Sequence, residues 1–253
     1  MKEAKTLYVL EISVLETNPF QTEIFKTEDQ IELVQVAQNS SCDILSLKFC
    51  VQNVEDIPKA KFFLKQVLPY INKPLMISGT GNDNIDRNLL PVLTKNLDRE
   101  CIISNANENT YQDIVPAIIK GNHRLVLKTP IDMNSCKELN ILVSELGLPL
   151  NKIIIDTDIG GLGYGLDYGY SMIEKIKLER DKYIKMPIIS FVAKESLQIK
   201  ETKSDSFSKS WGTLKERSKM FELASVAAIK AAGADMLVMY YPENVKTMKG
   251  LEV

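Results

Sequence analysis

Residues 124–158 read RLVLKTPIDMNSCKELNILVSELGLPLNKIIIDTD, a strand-like run, an amphipathic segment and a second strand-like run. The apolar runs at 124–130 and 152–158 lack polar alternation, which is typical of parallel strands covered on both faces. Between them, four apolar side chains recur at the spacing of one helix face: Leu139, Leu142, Val143 and Leu146. Gly147 then supplies a helix stop signal. The stretch predicts one strand–helix–strand unit of a parallel sheet.

Runs of this kind recur along the whole chain. The predicted strands span residues 7–15, 44–49, 74–79, 101–106, 124–130, 152–158, 187–192 and 235–241. Eight units in 253 residues leave about 32 residues for each, close to the minimum for a strand, a crossover helix and two loops. The pattern predicts an α/β fold, a single (β/α)8 barrel domain over residues 1–253. A doubly wound open sheet is the alternative, because periodicity does not show whether the sheet closes.

Composition narrows the classes of function. The chain is 45% apolar and 25% charged, as in ordinary globular domains. Its 31 basic and 33 acidic residues give a net charge of −2, too near zero for non-specific attraction to nucleic acid or anionic lipid. No run approaches 18 apolar residues, and the start lacks the apolar core of a signal peptide. We expect a cytoplasmic protein that binds neither nucleic acid nor membrane.

The cysteines and the histidine argue against a metal centre in this chain. Cys42, Cys50, Cys101 and Cys136 are far apart and form no C-x-x-C pair, so we expect reduced structural thiols and no iron–sulfur cluster. His123, the one histidine, precedes the fifth predicted strand, at the stabilising end of a barrel. A structural or exposed role is expected for it.

Chemistry in such a barrel lies in the loops that follow the strands. After the sixth strand, residues 156–165 read DTDIGGLGYG, with two carboxylates, Asp156 and Asp158, and four glycines within six residues. Glycines there allow a positive φ or the close approach of a ligand to the backbone. The segment has neither the G-x-G-x-x-G register nor the lysine of a phosphate-binding loop. It predicts a ligand site, with a tight turn and helix N-cap carboxylates as the alternative.

Small and amide-bearing residues follow two further strands, SGTGN at 78–82 and SNAN at 104–107. Such groups donate and accept hydrogen bonds without charge, which suits a neutral heterocycle or an amide-decorated ring better than a phosphate. Turn and cap chemistry is the alternative. The predicted rim also contains four charged residues: Glu11, Lys48, Lys128 and Asp132. A long loop at 193–212, with the one tryptophan, Trp211, follows the seventh strand and is functional or mobile.

The run D-x-x-x-G-x-L-G-Y-G-L-[DE]-Y at 156–168 resembles the small (delta) subunit of the corrinoid iron–sulfur protein of the acetyl-CoA decarbonylase/synthase complex. Further matching segments are 74–82, 104–107, 181–187, Trp211-Gly212 with Glu216-Arg217, 232–235 and 242–245. The resemblance covers the chain well from about Pro74 onward. The first third is covered only by its pattern.

This resemblance implies a TIM barrel that pairs, as a heterodimer, with a large corrinoid iron–sulfur subunit. The barrel would be a non-catalytic subunit that helps to hold a corrinoid at the interface, with the iron–sulfur cluster in the partner. A methyl group would pass from methyl-tetrahydropterin to acetyl-CoA synthase in Wood–Ljungdahl type carbon metabolism. The methyltransferase and the acetyl-CoA synthase are then transient partners.

Carried over position by position, the resemblance implies six residues at the barrel mouth, facing the corrinoid or the partner: Asn82, Asn107, Asp156, Gly161, Gly163 and Tyr164. Neither catalytic nor metal-ligating residues are implied. The alternative is a stand-alone pterin-binding methyltransferase barrel, in which Asp156 or Asp158, with Asn107, hydrogen-bonds methyl-tetrahydrofolate. A weaker alternative is a Schiff-base aldolase, for which Lys128 would need a lowered pKa.

Overall fold

Eight parallel strands form one sheet in the computed structural model, which describes residues 5–160 and 166–251. The strands are β1 (Leu7–Val14), β2 (Ile44–Phe49), β3 (Leu75–Ser78), β4 (Ile102–Ala106), β5 (Arg124–Lys128), β6 (Ile153–Asp156), β7 (Ile189–Ser190) and β8 (Met236–Met239). Their order in the sheet is β6-β5-β4-β3-β2-β1-β8-β7. Each predicted strand is present, within three residues at either end.

The two outer strands of this order meet. Ile155 of β6 forms a parallel bridge with Ile188, just before β7, and the Ile155 N–H donates to the Pro187 carbonyl at 2.8 Å. The sheet therefore closes on itself at this point. The predicted (β/α)8 barrel is confirmed, and the open doubly wound sheet is excluded.

Ten α-helices surround the sheet in the described part of the chain. They are α1 (Pro19–Phe25), α2 (Gln30–Gln38), α3 (Ile57–Val67), α4 (Asp83–Thr94), α5 (Tyr111–Gly121), α6 (Met133–Glu145), α7 (Leu166–Leu178), α8 (Val192–Ser196), α9 (Leu214–Ala232) and α10 (Pro242–Gly250). Local signals set several ends. The Asp132 carboxylate accepts from the Ser135 N–H at 2.7 Å and begins α6, while Gly233 ends α9 at a φ of 106°.

The strands are buried on both faces, which explains their lack of polar alternation. One set of side chains fills the barrel interior: Val9, Ile44, Met76, Ile102, Val126, Ile154, Ile189, Met236 and Val238. The alternate set, which includes Leu10, Leu45 and Ile77, packs outward against the helices. None of the helices described is long and apolar enough to cross a membrane.

His123 has the structural role that its position predicts. It is 2% exposed, and its Nδ1 accepts a hydrogen bond from the Cys101 N–H at 3.1 Å. Burial lowers its pKa, so the neutral ring is favoured. Cys42, Cys101 and Cys136 are buried and Cys50 is half-buried, and all are free thiols as expected.

Packing of α7 against the loop after β6 generates a stability prediction. A Cβ at Gly169 would lie 2.7 Å from the Ile159 Cα, too close to backbone for relaxation without strain. Gly169→Ala should therefore lower the free energy of unfolding by roughly 1–3 kcal/mol, as overpacking does. Urea unfolding followed by circular dichroism measures this difference.

The matched control is Gly250→Ala, since a Cβ at Gly250 has no heavy atom within 4 Å. This helical change should leave the stability unchanged or raise it by up to about 1 kcal/mol. Equal effects of the two substitutions would contradict the packing described for Gly169.

Candidate functional site

The carboxyl ends of the strands surround a pocket at the barrel mouth, with about 620 Å³ of empty space open to solvent. Its lining combines charged, hydroxyl and small residues, namely Glu11, Lys48, Ser78, Gly79, Thr80, Gly81, Asp86, Ser104, Asn105, Lys128, Asp156, Asp158, Ile159, Phe191, Lys194 and Glu195. We call this the mouth pocket. It lies at the end of the barrel where the parallel strands predict a site.

A buried carboxylate forms part of the pocket floor. Glu11 of β1 is 4% exposed, and its Oε2 accepts from the hydroxyls of Ser46 at 2.9 Å and Ser78 at 2.8 Å. These two hydroxyl hydrogen bonds, from neighbouring strands, therefore replace the hydrogen bonds to water that this oxygen loses when it is buried. The interaction fixes the position of the carboxylate above the apolar interior.

Asp156 and Asp158 stand beside Lys128 on the opposite side of the floor. The Lys128 Nζ lies 3.1 Å from Asp158 Oδ2, and Asp156 Oδ1 accepts from the Asp158 N–H at 3.0 Å. Asp156 is 3% exposed. Burial raises the pKa of Asp156 to about 6, with Lys128 opposing the rise and Asp158 adding to it.

The neighbouring groups stay charged. Burial would raise the pKa of Asp158, but Lys128 and the N–H groups of Ile159 and Gly160 hold it below its ordinary value. Burial would lower the pKa of Lys128, yet Asp156 and Asp158 raise it. Asp156 is thus the group of this trio that changes protonation nearest to neutral pH. A raised lysine pKa is the opposite of what a Schiff-base nucleophile needs, which argues against the aldolase alternative.

Asp86 of α4 orders the loop after β3. It is 5% exposed, and its carboxylate accepts from the Thr80 N–H and the Gly81 N–H, each at 2.8 Å. A Cβ at Gly79 would lie 2.7 Å from the Asp86 carboxyl atoms, so a side chain there would displace this carboxyl group. The sequence pattern does not mark Asp86 as a site residue, because Asp86 lies on a helix and not in the loop after the strand. An acid in the first turn after a Gly-Thr-Gly loop is the signal that could have identified it.

Three of the six implied site residues lie in the described part of the chain. Asp156 lines the mouth pocket. Asn82 is exposed at the rim, where its side chain accepts from the Asn84 N–H at 3.0 Å as the N-cap of α4. Asn107 donates to Asp83 Oδ1 at 2.8 Å and accepts from the Asn109 N–H at 2.9 Å. The amides of Asn82 and Asn107 therefore hold loops in place beside the pocket. Gly161, Gly163 and Tyr164 lie outside the described residues.

Of the four charged residues predicted at the rim, three line the mouth pocket: Glu11, Lys48 and Lys128. Asp132 does not, because it caps α6. Two residues that sequence analysis treated as loop, Lys194 and Glu195, line the pocket from α8. Burial, then the charge of Asp158, raises the pKa of Glu195.

A second groove lies beside the mouth pocket, with about 1010 Å³ of space open to solvent. Its walls are Asn107, Glu108, Asn109, Thr129, Pro130, Ser135, Glu138, Leu139 and Leu142, together with Lys128 and Asp158. The Lys128–Asp158 ion pair is common to both cavities. It forms the partition between them.

The burial of Asp156 and the charges of Lys128 and Asp158 beside it predict the pH at which Asp156 loses its proton. The Asp156 carboxyl resonance should titrate with a midpoint near pH 6 in carbon-13 NMR of carboxyl-labelled protein. Lys128→Met should raise this midpoint, because the opposing positive charge is lost, and Asp158→Asn should lower it. Lys152→Met, which removes a lysine paired with Glu100 away from the mouth, is the control and should leave the midpoint unchanged. A midpoint that ignores Lys128→Met would contradict this arrangement.

Comparison with solved structures shows the barrel fold. Dihydropteroate synthase from Xanthomonas albilineans matches all of this chain and 94% of its own, with a TM-score of 0.64 at 12% identity. The Plasmodium falciparum enzyme that contains a dihydropteroate synthase matches 99% of this chain and 46% of its own, with a TM-score of 0.65 at 13% identity. At this identity the likeness shows the barrel fold alone.

Comparison of sequences is more specific. The acetyl-CoA decarbonylase/synthase complex subunit delta of Methanosarcina mazei is 31% identical over 210 residues, 78% of this chain and 48% of that protein. The subunit delta of Methanocaldococcus jannaschii is 26% identical over 76% of this chain and 48% of its own length. The chain thus spans about half the length of these relatives. The model of the CO dehydrogenase/acetyl-CoA synthase delta subunit family matches residues 11–248, and the chain belongs to that family.

Proposed function

We propose that this chain is the barrel subunit that helps to hold a corrinoid against a large corrinoid iron–sulfur subunit, for methyl transfer between methyl-tetrahydropterin and acetyl-CoA synthase. The family match over residues 11–248 carries this proposal. The mouth pocket supports it, since polar groups converge there at the functional end of the barrel. The relatives are named as subunits of a complex, which supports a partner chain.

The chemistry of the mouth pocket fits the edge of an amide-bearing macrocycle. Asp156 and Glu195 can accept hydrogen bonds from amide N–H groups, and Lys194 can donate to amide carbonyls. Lys128 and Asp158 stabilise one another in the charged form, so the floor of the pocket carries a fixed ion pair. The bound corrinoid would supply the cobalt that carries the methyl group. His123 lies buried below β5, at the other end of the barrel, so it is no cobalt ligand in this arrangement.

The experiment is co-purification of this chain with its large subunit, followed by visible spectra of the complex and of each chain alone. A one-to-one complex that holds corrinoid absorbance, with none on the barrel alone, is the expected result. Asp156→Asn should speed corrinoid loss by about 10- to 100-fold, as loss of a hydrogen bond to a charged group does.

Glu100→Gln is the matched control for that experiment. Glu100 pairs with Arg124 at 2.9 Å and Lys152 at 3.1 Å, at the other end of the barrel, so this variant should retain corrinoid like the wild type. Failure of the wild-type chains to associate would refute the shared corrinoid site.

A second candidate function is the binding of methyl-tetrahydropterin by the barrel alone. Two observations favour it: dihydropteroate synthases of the same fold have been solved with 7,8-dihydropteroate and pterin, and Asp156 is a buried acid with a pKa of about 6. A carboxyl group of this kind can hydrogen-bond the amino edge of a pterin. It can also give a proton to a ring nitrogen as the methyl group leaves.

Isothermal titration of the isolated chain with methyl-tetrahydrofolate separates the two candidates. If the chain is a corrinoid-holding subunit, it should give no heat of binding under conditions in which an enzyme known to bind methyl-tetrahydrofolate does. Binding by the isolated chain, lost in Asp156→Asn and retained in Glu100→Gln, would establish the second candidate instead.

A further inference from the structure

The second groove has the size of a small-molecule site. It lies between the loop after β4, the end of β5 and one face of α6. Water-sized molecules can occupy about 440 Å³ of it, within the roughly 300–1,000 Å³ of pockets that enclose small ligands. The mouth pocket offers them only about 80 Å³. The groove can therefore enclose a molecule that the mouth pocket cannot.

The charged groups that line the groove are unbalanced. Glu108, Glu138 and Asp158 are acidic, and Lys128 is the one base among the described lining residues. Lys128 is already paired with Asp158 at 3.1 Å. Within the described chain, Glu108 and Glu138 form neither an ion pair nor a side-chain hydrogen bond. The groove thus has two negative charges without a counter-charge, which favours a positively charged ligand.

The rest of the lining fits an organic cation better than a metal ion. Among the described residues, no group of three carboxylate, thiol or imidazole side chains is arranged to hold a metal ion. Apolar surface lies in the same groove, because Leu139 is buried in its wall, Leu142 is half-buried and Pro130 is exposed. An ammonium group on an apolar body suits this lining, since the carboxylates pair with the charge and the leucines cover the body.

An unused hydroxyl also points to a ligand. Thr129 lines the groove and is 6% exposed, and its Oγ1 has no hydrogen-bond partner in the described part of the chain. The Cys136 thiol that lies beside it is a weak hydrogen-bonding group. Most buried polar side-chain atoms in proteins are paired, so this hydroxyl calls for a partner that the chain does not supply. An N–H or O–H group of a ligand in the groove is such a partner.

We propose that the second groove is a separate binding site for a small organic amine. The ammonium group pairs with the free carboxylates of the groove, the apolar body packs on Leu139 and Leu142, and a polar hydrogen of the ligand reaches Thr129. The inference does not rest on the proposed function, because it involves neither a corrinoid nor the large subunit.

The test uses tyramine, which combines an ammonium group, an apolar body and a hydroxyl. The isolated chain is labelled with carbon-13 in its leucine methyl groups. The Leu139 and Leu142 resonances should shift and saturate in the millimolar range, while those of Leu10, which is fully buried on β1, stay unmoved. The matched probe is 3-(4-hydroxyphenyl)propionate, which has the same body and the opposite charge and should not bind.

Two pairs of substitutions test the charge basis of the site. Glu108→Gln with Glu138→Gln should weaken tyramine binding about 10-fold, as loss of two exposed ion pairs does, and added salt should act in the same direction. Glu145→Gln with Glu174→Gln removes two exposed carboxylates that do not line the groove, so this control should bind tyramine like the wild type.

Thr129→Val tests the unused hydroxyl. This variant should weaken tyramine binding by about 3- to 10-fold without lowering stability, because the hydroxyl has no partner to lose in the free chain. The site would be overturned by the absence of a saturable shift in the millimolar range, by equal binding of the propionate, or by full affinity in the Glu108 and Glu138 double variant. None of these results bears on the corrinoid-holding function, which co-purification tests.

Discussion

Closure of the barrel between Ile155 and Ile188 is the constraint on which the mouth depends. The bridge brings the carboxyl end of β6 beside β7, and so places Asp156 and Asp158 in the same pocket as Lys194 and Glu195 of α8. In an open sheet these residues would lie at opposite edges. The meeting of Asp156, Asp158 and Glu195 in one pocket is thus a product of closure.

The second constraint is the free-energy cost of removing the charged groups of the pocket from water. For Glu11, hydrogen bonds from two hydroxyl groups on neighbouring strands offset this cost. Asp156 has a poorer arrangement, because Lys128 is ion-paired with Asp158 and Asp156 accepts its hydrogen bond from the backbone N–H of Asp158. Burial raises the pKa of Asp156 to about 6, whereas Lys128 and two backbone N–H groups hold the pKa of Asp158 below its ordinary value despite burial. Asp156 and Asp158 therefore differ in protonation near neutral pH because only Asp158 is paired with Lys128.

The strands and the position of the mouth could be read from the sequence because both are local signals: short runs rich in β-branched residues, and polar residues where those runs end. Closure could not, since the Ile155–Ile188 pairing depends on tertiary structure. Predicted strand 187–192 shortens to Ile189–Ser190 because α8 begins at Val192, which also brings Lys194 and Glu195 to the pocket. Asp132 looks like a rim residue in the sequence but is the N-cap of α6, a difference that only the hydrogen bond to the Ser135 N–H reveals.

The size of the mouth pocket bears on how a corrinoid could be held. The mouth pocket offers water-sized molecules only about 80 Å³, well below the roughly 300–1,000 Å³ of pockets that enclose a drug-sized ligand. A corrinoid is considerably larger, so on the proposed function this pocket contacts one side or edge of it and leaves the rest exposed. A second surface must then cover the remainder, and the barrel alone should hold the cofactor weakly.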